Sequence, residues 1–250
     1  MGKKKNEKLR SSEEIKKKRI EKELENKKIK ELNQMKEIHG SDYMTSKYQY
    51  VIDNIVCKLN LINADLKENL KRPVIQKISS RIKTCESICK KLERKKIEPD
   101  YAHAVSSLND LVGVRAICFF KDDIYRIADA VKAQKDIRVI KEKDYVEKPK
   151  KSGYQSLHII VEVPLTFYEK EEYIRAEIQI RSFAMDYWAE LDNQMCYKKS
   201  AGEVEAIRKE ILSYSDVMTE MDSKMLELRK RIEKEMEKEP GKEPDKQTKN

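Results

Sequence analysis

Glycine-rich nucleotide cradles are absent from this sequence. No loop ends in Gly-Lys-Ser or Gly-Lys-Thr and no GxGxxG occurs, which excludes a P-loop and a Rossmann-type phosphate turn. Cysteine is sparse: Cys57, Cys85, Cys89, Cys118 and Cys196 make no CxxC pair and follow no secretory leader, so zinc ribbon and disulfide scaffold are set aside. An odd number of cysteines in apolar surroundings points to reduced thiols and a cytoplasmic location. Long apolar runs are missing too. None approaches the roughly 20 residues of a membrane span, and no membrane contact is expected.

Charge is what the chain has in plenty. Charged residues make up 40% of 250 and the mean hydropathy is −0.81, so a compact core occupies only part of the length. The formal net charge is +9, and residues 1–36 hold 14 Lys and Arg against 7 Asp and Glu, which places +7 of it there. Such an arm suits contact with RNA or an acidic partner, and equally simple solvation as a frayed helix.

From Lys3 to about Ile38 a ragged apolar seam predicts a long exposed helix, and residues 1–44 read as a basic, partly flexible helical arm. Thr45–Leu61 reads as a helix burying Tyr48, Ile52, Ile55 and Leu59. Over 74–95 the residues Ile75, Ile78, Ile82, Cys85, Cys89 and Leu92 step by 3 and 4, which predicts a single helix. On its wheel Lys83, Ser87, Lys90 and Arg94 share a cationic stripe, with Lys91 beside it and Arg81 on the opposite flank. Beyond Pro99 the period becomes two, giving strands at Val112–Phe120, Ile137–Lys141, Tyr154–Val163 and Tyr173–Arg181. Helices are expected at Asp122–Gln134 and from Phe183 to about Tyr197. A mixed sheet flanked by helices fits this order, with the core domain spanning 45–200. A 3,4 alternation from Val204 to Ile232 sustains a heptad helix over 201–236 that needs its own domain or another subunit as partner. Residues 237–250 are too charged and proline-broken to fold.

The polar residues are placed as regularly as the apolar ones. In Tyr173–Arg181 the side chains of Arg175, Glu177, Gln179 and Arg181 share one face, and Ala176, Ile178 and Ile180 the other. A face covered by a helix layer would not carry four polar groups in a row, so this one is open. Tyr154, Ser156 and His158 project to one side of the neighbouring strand, and Arg115 interrupts the first strand just after Asp110. Each of these could be a satisfied structural group, His158 a core histidine; their coincidence points to a site. Cations from 81–94, Arg115 and Lys150-Lys151 suit several phosphates. Asp110 and Glu177 suit Mg²⁺ shared with phosphate oxygens. Tyr154 beside Gly153 suits a stacked base, the glycine letting the backbone approach it.

The stretches SRIKTCESICKKL, LNDLVGVRAICFF, KSGYQSLHIIVEVP, AEIQIRSFAMDYWAEL and YKK, between about Ile78 and Lys199, resemble those of small alarmone synthetases of the RelA/SpoT family. GYQSLH after a basic loop and EIQIR before a helix are specific together. The resemblance implies an α+β, nucleotidyltransferase-like domain with a mixed five-stranded sheet. It implies transfer of the β,γ-pyrophosphate of ATP to the 3′-hydroxyl of GDP or GTP, giving AMP and (p)ppGpp. By the same resemblance Arg81, Lys83, Ser87, Lys91, Arg94 and Arg115 bind ATP, and Asp110 and Glu177 hold Mg²⁺, with Glu177 also taking the hydroxyl proton. Tyr154 stacks on guanine, while Lys150, Lys151, Ser152, Gly153, His158, Gln179 and Asp186 hold the acceptor. Small members are commonly homotetramers, so a homo-oligomer is expected. Gln155 stands where many relatives carry Arg, and Asp192-Asn193 where they carry Glu-His. His39, His103 and His158 are the only histidines and none precedes Asp, which argues against the hydrolase of the long members. Two other readings use the same residues. One is a relative that pyrophosphorylates tRNA 3′ ends; the other is an RNA-binding regulator without catalysis, for which two carboxylates on the binding face have no use.

Overall fold

In the computed structural model, which describes residues 2–168, 170–196 and 201–238, five strands form one sheet in the order β1-β2-β5-β4-β3. They are β1 (Ile75–Ile82), β2 (Val112–Cys118), β3 (Arg138–Asp144), β4 (Leu157–Phe167) and β5 (Lys170–Ser182). Only β2 and β5 pair in parallel, so the sheet is mixed. The helices are α1 (Gly2–His39), α2 (Asp42–Leu70), α3 (Cys85–Arg94), α4 (Tyr101–Ser107), α5 (Lys121–Lys132), α6 (Phe183–Cys196) and α7 (Ala201–Lys238). No described helix is long and apolar enough to cross a membrane.

Strand alternation makes one sheet face apolar. Val112, Val114 and Ala116 of β2, Ala176, Ile178 and Ile180 of β5, and Leu157, Ile159 and Val161 of β4 join one cluster with Tyr48, Val51, Ile55 and Leu59 of α2 and Ile124, Ile127 and Val131 of α5. At about 25 cal/mol per Å², this shared burial is the main stabilising term of the domain. The opposite face is left to the polar residues.

The single helix expected over 74–95 is two elements. A β-bulge between Ile75 and Lys77 inserts an odd step, so Ile75 and Ile78 share a face, and Ile82 follows two pleats later. All three pack on the sheet core, whereas Cys85, Cys89 and Leu92 belong to a second cluster with Ile88, Ala104, Leu108 and Leu111. The break lies at Thr84, extended at φ −69° and ψ 150°, whose hydroxyl caps α3 by accepting from Ser87 N at 3.3 Å. Elsewhere the boundaries shift: α2 runs on to Leu70, and β4 begins at Leu157 rather than Tyr154.

The C-terminal helix lies along its own domain. Arg229 on α7 donates to Asp122 at 2.6 Å, and Arg72 grips Asp123 with two bonds of 2.8 Å, so the ends of α2, α5 and α7 share one ionic knot over Phe120. The helix leaves Tyr214, Val217, Met221, Met225, Leu228 and Ile232 exposed, the last three bordering a groove with Arg72 and Phe120. The charged tail from 239 onward, and Tyr197, Lys198 and Lys199 of the YKK stretch, lie outside the described residues.

Asp222 of α7 is 6% exposed and its Oδ2 has no partner among the described residues. Burial lifts its carboxyl above the ordinary range, and the hydrogen bond with Ser182 and the charge of Lys121 offset this only in part. An acid whose pKa is higher folded than unfolded supports the fold only while protonated, so its contribution fades as pH rises. We expect Asp222→Asn to stabilise the protein by on the order of 1 kcal/mol at about pH 8, or ~2–4 °C in the unfolding midpoint. The gain should vanish by about pH 4, the ordinary aspartate value. Calorimetry at the two pH values checks this; a lower midpoint at the higher pH would refute it.

Candidate active site

Two rows of cross-strand neighbours build the polar face. Ser79, Arg115, Gln179, His158 and Lys143 stand side by side across β1, β2, β5, β4 and β3, and Arg81, Gly113, Glu177, Ile160 and Lys141 form the next row. A hollow opens over the β1, β2 and β5 part of these rows, lined by Ser79, Arg81, Asp110, Arg115, Glu177 and Gln179 among others. At Gly113 a Cβ would meet Arg81 Cγ at 3.7 Å, an ordinary van der Waals contact.

Asp110 sits in the turn entering β2, where Lys83 N donates to Leu111 O at 2.8 Å and ties the turn to the end of β1. Its Oδ2 accepts from Lys83 Nζ at 3.0 Å and from Lys91 Nζ at 2.7 Å. Burial alone would raise the carboxyl, but the Lys91 hydrogen bond and the two ammonium charges outweigh it and hold Asp110 below the usual range. Its Oδ1 is buried with no hydrogen-bond partner. Thus one oxygen is held by cations and the other is free to take a ligand.

Glu177 is 8% exposed, and burial likewise opposes its charge. His158 and Gln179 prevail and hold it below the ordinary glutamate range. His158 Nδ1 lies 3.1 Å from Glu177 Oε1, and Gln179 Nε2 donates to Oε2 at 2.7 Å. An ionised carboxylate can only accept, so the Nδ1 of His158 carries the hydrogen. The other ring nitrogen, Nε2, meets Tyr154 OH at 2.9 Å. Arg181 closes the circuit, donating to Tyr154 OH and, at 3.0 Å, to Gln179 Oε1.

Asp186, in the first turn of α6, accepts from Arg115 at 3.0 Å and Arg181 at 3.2 Å, and so joins the two halves of the face. Arg115 also reaches Glu190 at 2.8 Å. Lys150 stands 4.4 Å from the Tyr154 ring centre, and Arg181 stands 4.9 Å from it. A base stacking on this ring takes the place of one of these cations. Lys151 and Ser152 are exposed at the loop tip.

Ser87 and Arg94 are not among the residues lining the hollow. Ser87 serves the α3 cap, and exposed Arg94 turns back to Lys90 O at 3.4 Å. Lys83, Lys91, Tyr154 and His158 do not line it either; Ser87 and Arg94 share α3 with Lys91, and Lys83 stands just before the Thr84 cap. Gly153 has a φ of +89°, and a Cβ there would lie 2.8 Å from Ser215 Cβ and 3.1 Å from Leu212 Cδ1, so its lack of a side chain seats α7. Ser215 Oγ donates to Gly153 O at 2.8 Å, and Gln155 Nε2 to Thr219 Oγ1 at 2.7 Å. Tyr145, packed edge-on to His158 at 5.3 Å, was missed because its loop has no periodicity.

Comparison with known proteins agrees with this geometry. Residues 80–202 match the model described as a region found in RelA/SpoT proteins. GTP pyrophosphokinase YwaC of Bacillus subtilis is 35% identical over 186 residues, spanning 74% of this chain and 89% of the relative. The crystal structure of small alarmone synthetase 1 from Bacillus subtilis bound to its product pppGpp superposes with a TM-score of 0.67 at 31% identity, covering 74% of this chain and 94% of that one. A GTP pyrophosphokinase family protein from Streptococcus pneumoniae gives 0.69 at 30% identity, covering 77% and 94%.

Trp188 is the sole tryptophan, 3% exposed, and donates to Ile211 O of α7 at 2.9 Å, so it reports on the seating of that helix. We expect Gly153→Ala to cost about 1–3 kcal/mol through positive-φ strain and contact with α7. It should also red-shift the Trp188 emission. Adding Ser215→Gly, which removes the obstructing Cβ, should recover part of both; an unchanged spectrum and midpoint in Gly153→Ala would show that the loop does not seat the helix.

Proposed function

The chain belongs to the RelA/SpoT family, and we infer that it is a synthetase-only GTP pyrophosphokinase, a small alarmone synthetase. It transfers the β,γ-pyrophosphate of ATP to the 3′-hydroxyl of GDP or GTP and releases AMP and (p)ppGpp. The observation that carries the reading is the pair of buried, ionised carboxylates, Asp110 and Glu177, on one floor between a lysine-rich wall and a tyrosine–histidine wall.

On the donor side Arg81, Lys83, Lys91 and Arg115 supply point charges and forked donors for ATP and its phosphates. When phosphates arrive, Lys83 and Lys91 exchange Asp110 for phosphate oxygens. The residues suit Mg²⁺: two carboxylates, one with an unpartnered buried oxygen, leave further positions for phosphate and water. Asp110 and Glu177 would hold the ion, which would supply charge neutralisation at the triphosphate. On the acceptor side Tyr154 stacks on guanine, displacing Lys150 towards the acceptor phosphates with Lys151 and Ser152. His158 and Gln179 hold Glu177 facing the ribose.

The 3′-oxygen attacks the β-phosphorus in line. Its proton passes to the Glu177 carboxylate as the new O–P bond forms, and the bond from the β-phosphorus to the α-bridging oxygen breaks, sending its electron pair out with AMP. Positioning and charge stabilisation supply most of the acceleration, with the base adding about 10²–10⁴-fold. The exposed apolar stripe of α7 is the surface on which copies of this chain would associate, as a tetramer in our reading. In this reading the (p)ppGpp made would serve the stringent response.

Incubation with labelled ATP, Mg²⁺ and GDP or GTP should yield AMP and a 3′-pyrophosphorylated guanosine nucleotide, and none in EDTA. Label in tRNA instead would redirect the acceptor. Glu177→Gln should lower kcat by about 10²–10⁴-fold while ATP binding persists; turnover within about tenfold of wild type would remove Glu177 as the base.

A further inference from the structure

The N-terminal helix lies before the matched 80–202 region, yet it is built into the donor wall. Its last turns run antiparallel to α3. Lys36 pairs with Glu86 at 2.8 Å, Lys28 with Glu93 at 3.0 Å, and Lys27 with Glu98 at 2.7 Å. Eight residues of α1 and seven of α3 separate the first two pairs, roughly 12 Å and 10 Å at 1.5 Å per residue, so the helices stay in register.

Between these pairs the contact is apolar. Met35 is 1% exposed, and with Leu32 it packs into the cluster of Cys85, Ile88, Leu92, Ala104 and Leu108. That cluster is separate from the sheet core. The ten-residue α3 is too short to persist alone and takes its apolar support from α1 and α4 instead of from the sheet.

At the end of α1 His39 is 5% exposed, and its Nε2 lies 2.8 Å from the carbonyl oxygen of Lys83. A carbonyl only accepts, so this nitrogen is the donor. The backbone of Lys83 is thereby held on both sides, its N–H by Leu111 O and its C=O by His39. From that backbone the Lys83 ammonium reaches Asp110, and from α3 the Lys91 ammonium does the same.

We propose that α1 is a positioning element for the donor nucleotide, with His39 as its principal positioning residue: it fixes the height of Lys83 and α3, and through them the grip on the ATP phosphates. The proposal rests on the reading that ATP binds beside Asp110.

His39→Leu keeps the bulk and removes the donor; His39→Gln keeps an amide donor. In the full chain, His39→Leu should raise the KM for ATP about three- to tenfold, the range of one hydrogen bond's net worth. The KM for GDP, and kcat at saturating ATP, should stay within about twofold of wild type. His39→Gln should restore most of the ATP KM. The exposed pairs give a second route that does not disturb a buried site. Reversing Lys28 and Lys36 to Glu should raise the ATP KM about two- to fivefold, and adding Glu86→Lys and Glu93→Lys should bring it back. An unmoved ATP KM in both series, or the two KM values drifting together with the unfolding midpoint, overturns the role of α1. If His39→Leu fails to fold, the charge reversals decide alone. A wild-type protein that releases no AMP from ATP and GDP would instead overturn the function itself.

Discussion

Two carboxylates buried on one sheet face must have their charge compensated, and the polar side of this protein is organised around that requirement. Asp110 and Glu177 are 9% and 8% exposed, and an unpaired buried carboxylate would cost several kcal/mol. Lysines from β1 and α3 answer the first, and a histidine and a glutamine answer the second. These partners are themselves fixed, His158 by Tyr154, Tyr154 and Gln179 by Arg181, and Arg181 with Arg115 by Asp186. The chain of contacts therefore spans both sides of the site. On the proposed function it would also suit substrate exchange, since phosphate would replace carboxylate beside the lysines while a cation would replace lysine beside the carboxylate, leaving no buried charge uncompensated.

The strand carrying Glu177 was legible because strict alternation survives in sequence whatever surrounds it. Arg175 to Arg181 told which face was open, and the neighbouring pair Tyr154 and His158 told what stood beside it. The strand carrying Arg81 was not legible. One inserted residue near Ile75 turned a period of two into steps of 3 and 4, and the α3 cluster that follows continued the same steps in a different core. Lys83 falls outside α3 for the same reason, whereas Ser87, Lys90, Lys91 and Arg94 keep their relative places on it. No local rule could have given the partner of Gly153, because Ser215 lies 62 residues further on. A glycine in a basic loop reads as a place for a ligand; that its missing side chain admits a helix is visible only in the fold.

The two walls of the site differ from its floor in how they are held. Glu177 and Gln179 belong to a central strand whose far face is the main core, and displacing them means breaking the sheet. Lys91 rides on a short helix with a small core of its own, and the loop 148–155 is held by two hydroxyls of α7 and a tight turn in which Gly153 N donates to Lys150 O at 2.8 Å. Local opening of such segments costs less than global unfolding.

The polar residues are divided accordingly: Glu177, Gln179, Arg181 and Arg115 lie on the central strands β5 and β2, whereas Lys91 lies on a short helix and Lys150 and Tyr154 on a loop. Helices outside the sheet back each wall: α1 packs on α3 and holds the Lys83 carbonyl, and α7 holds the loop that carries Gly153 and Gln155. On our proposal, a change that unseats either helix would act on the site through the wall that helix supports.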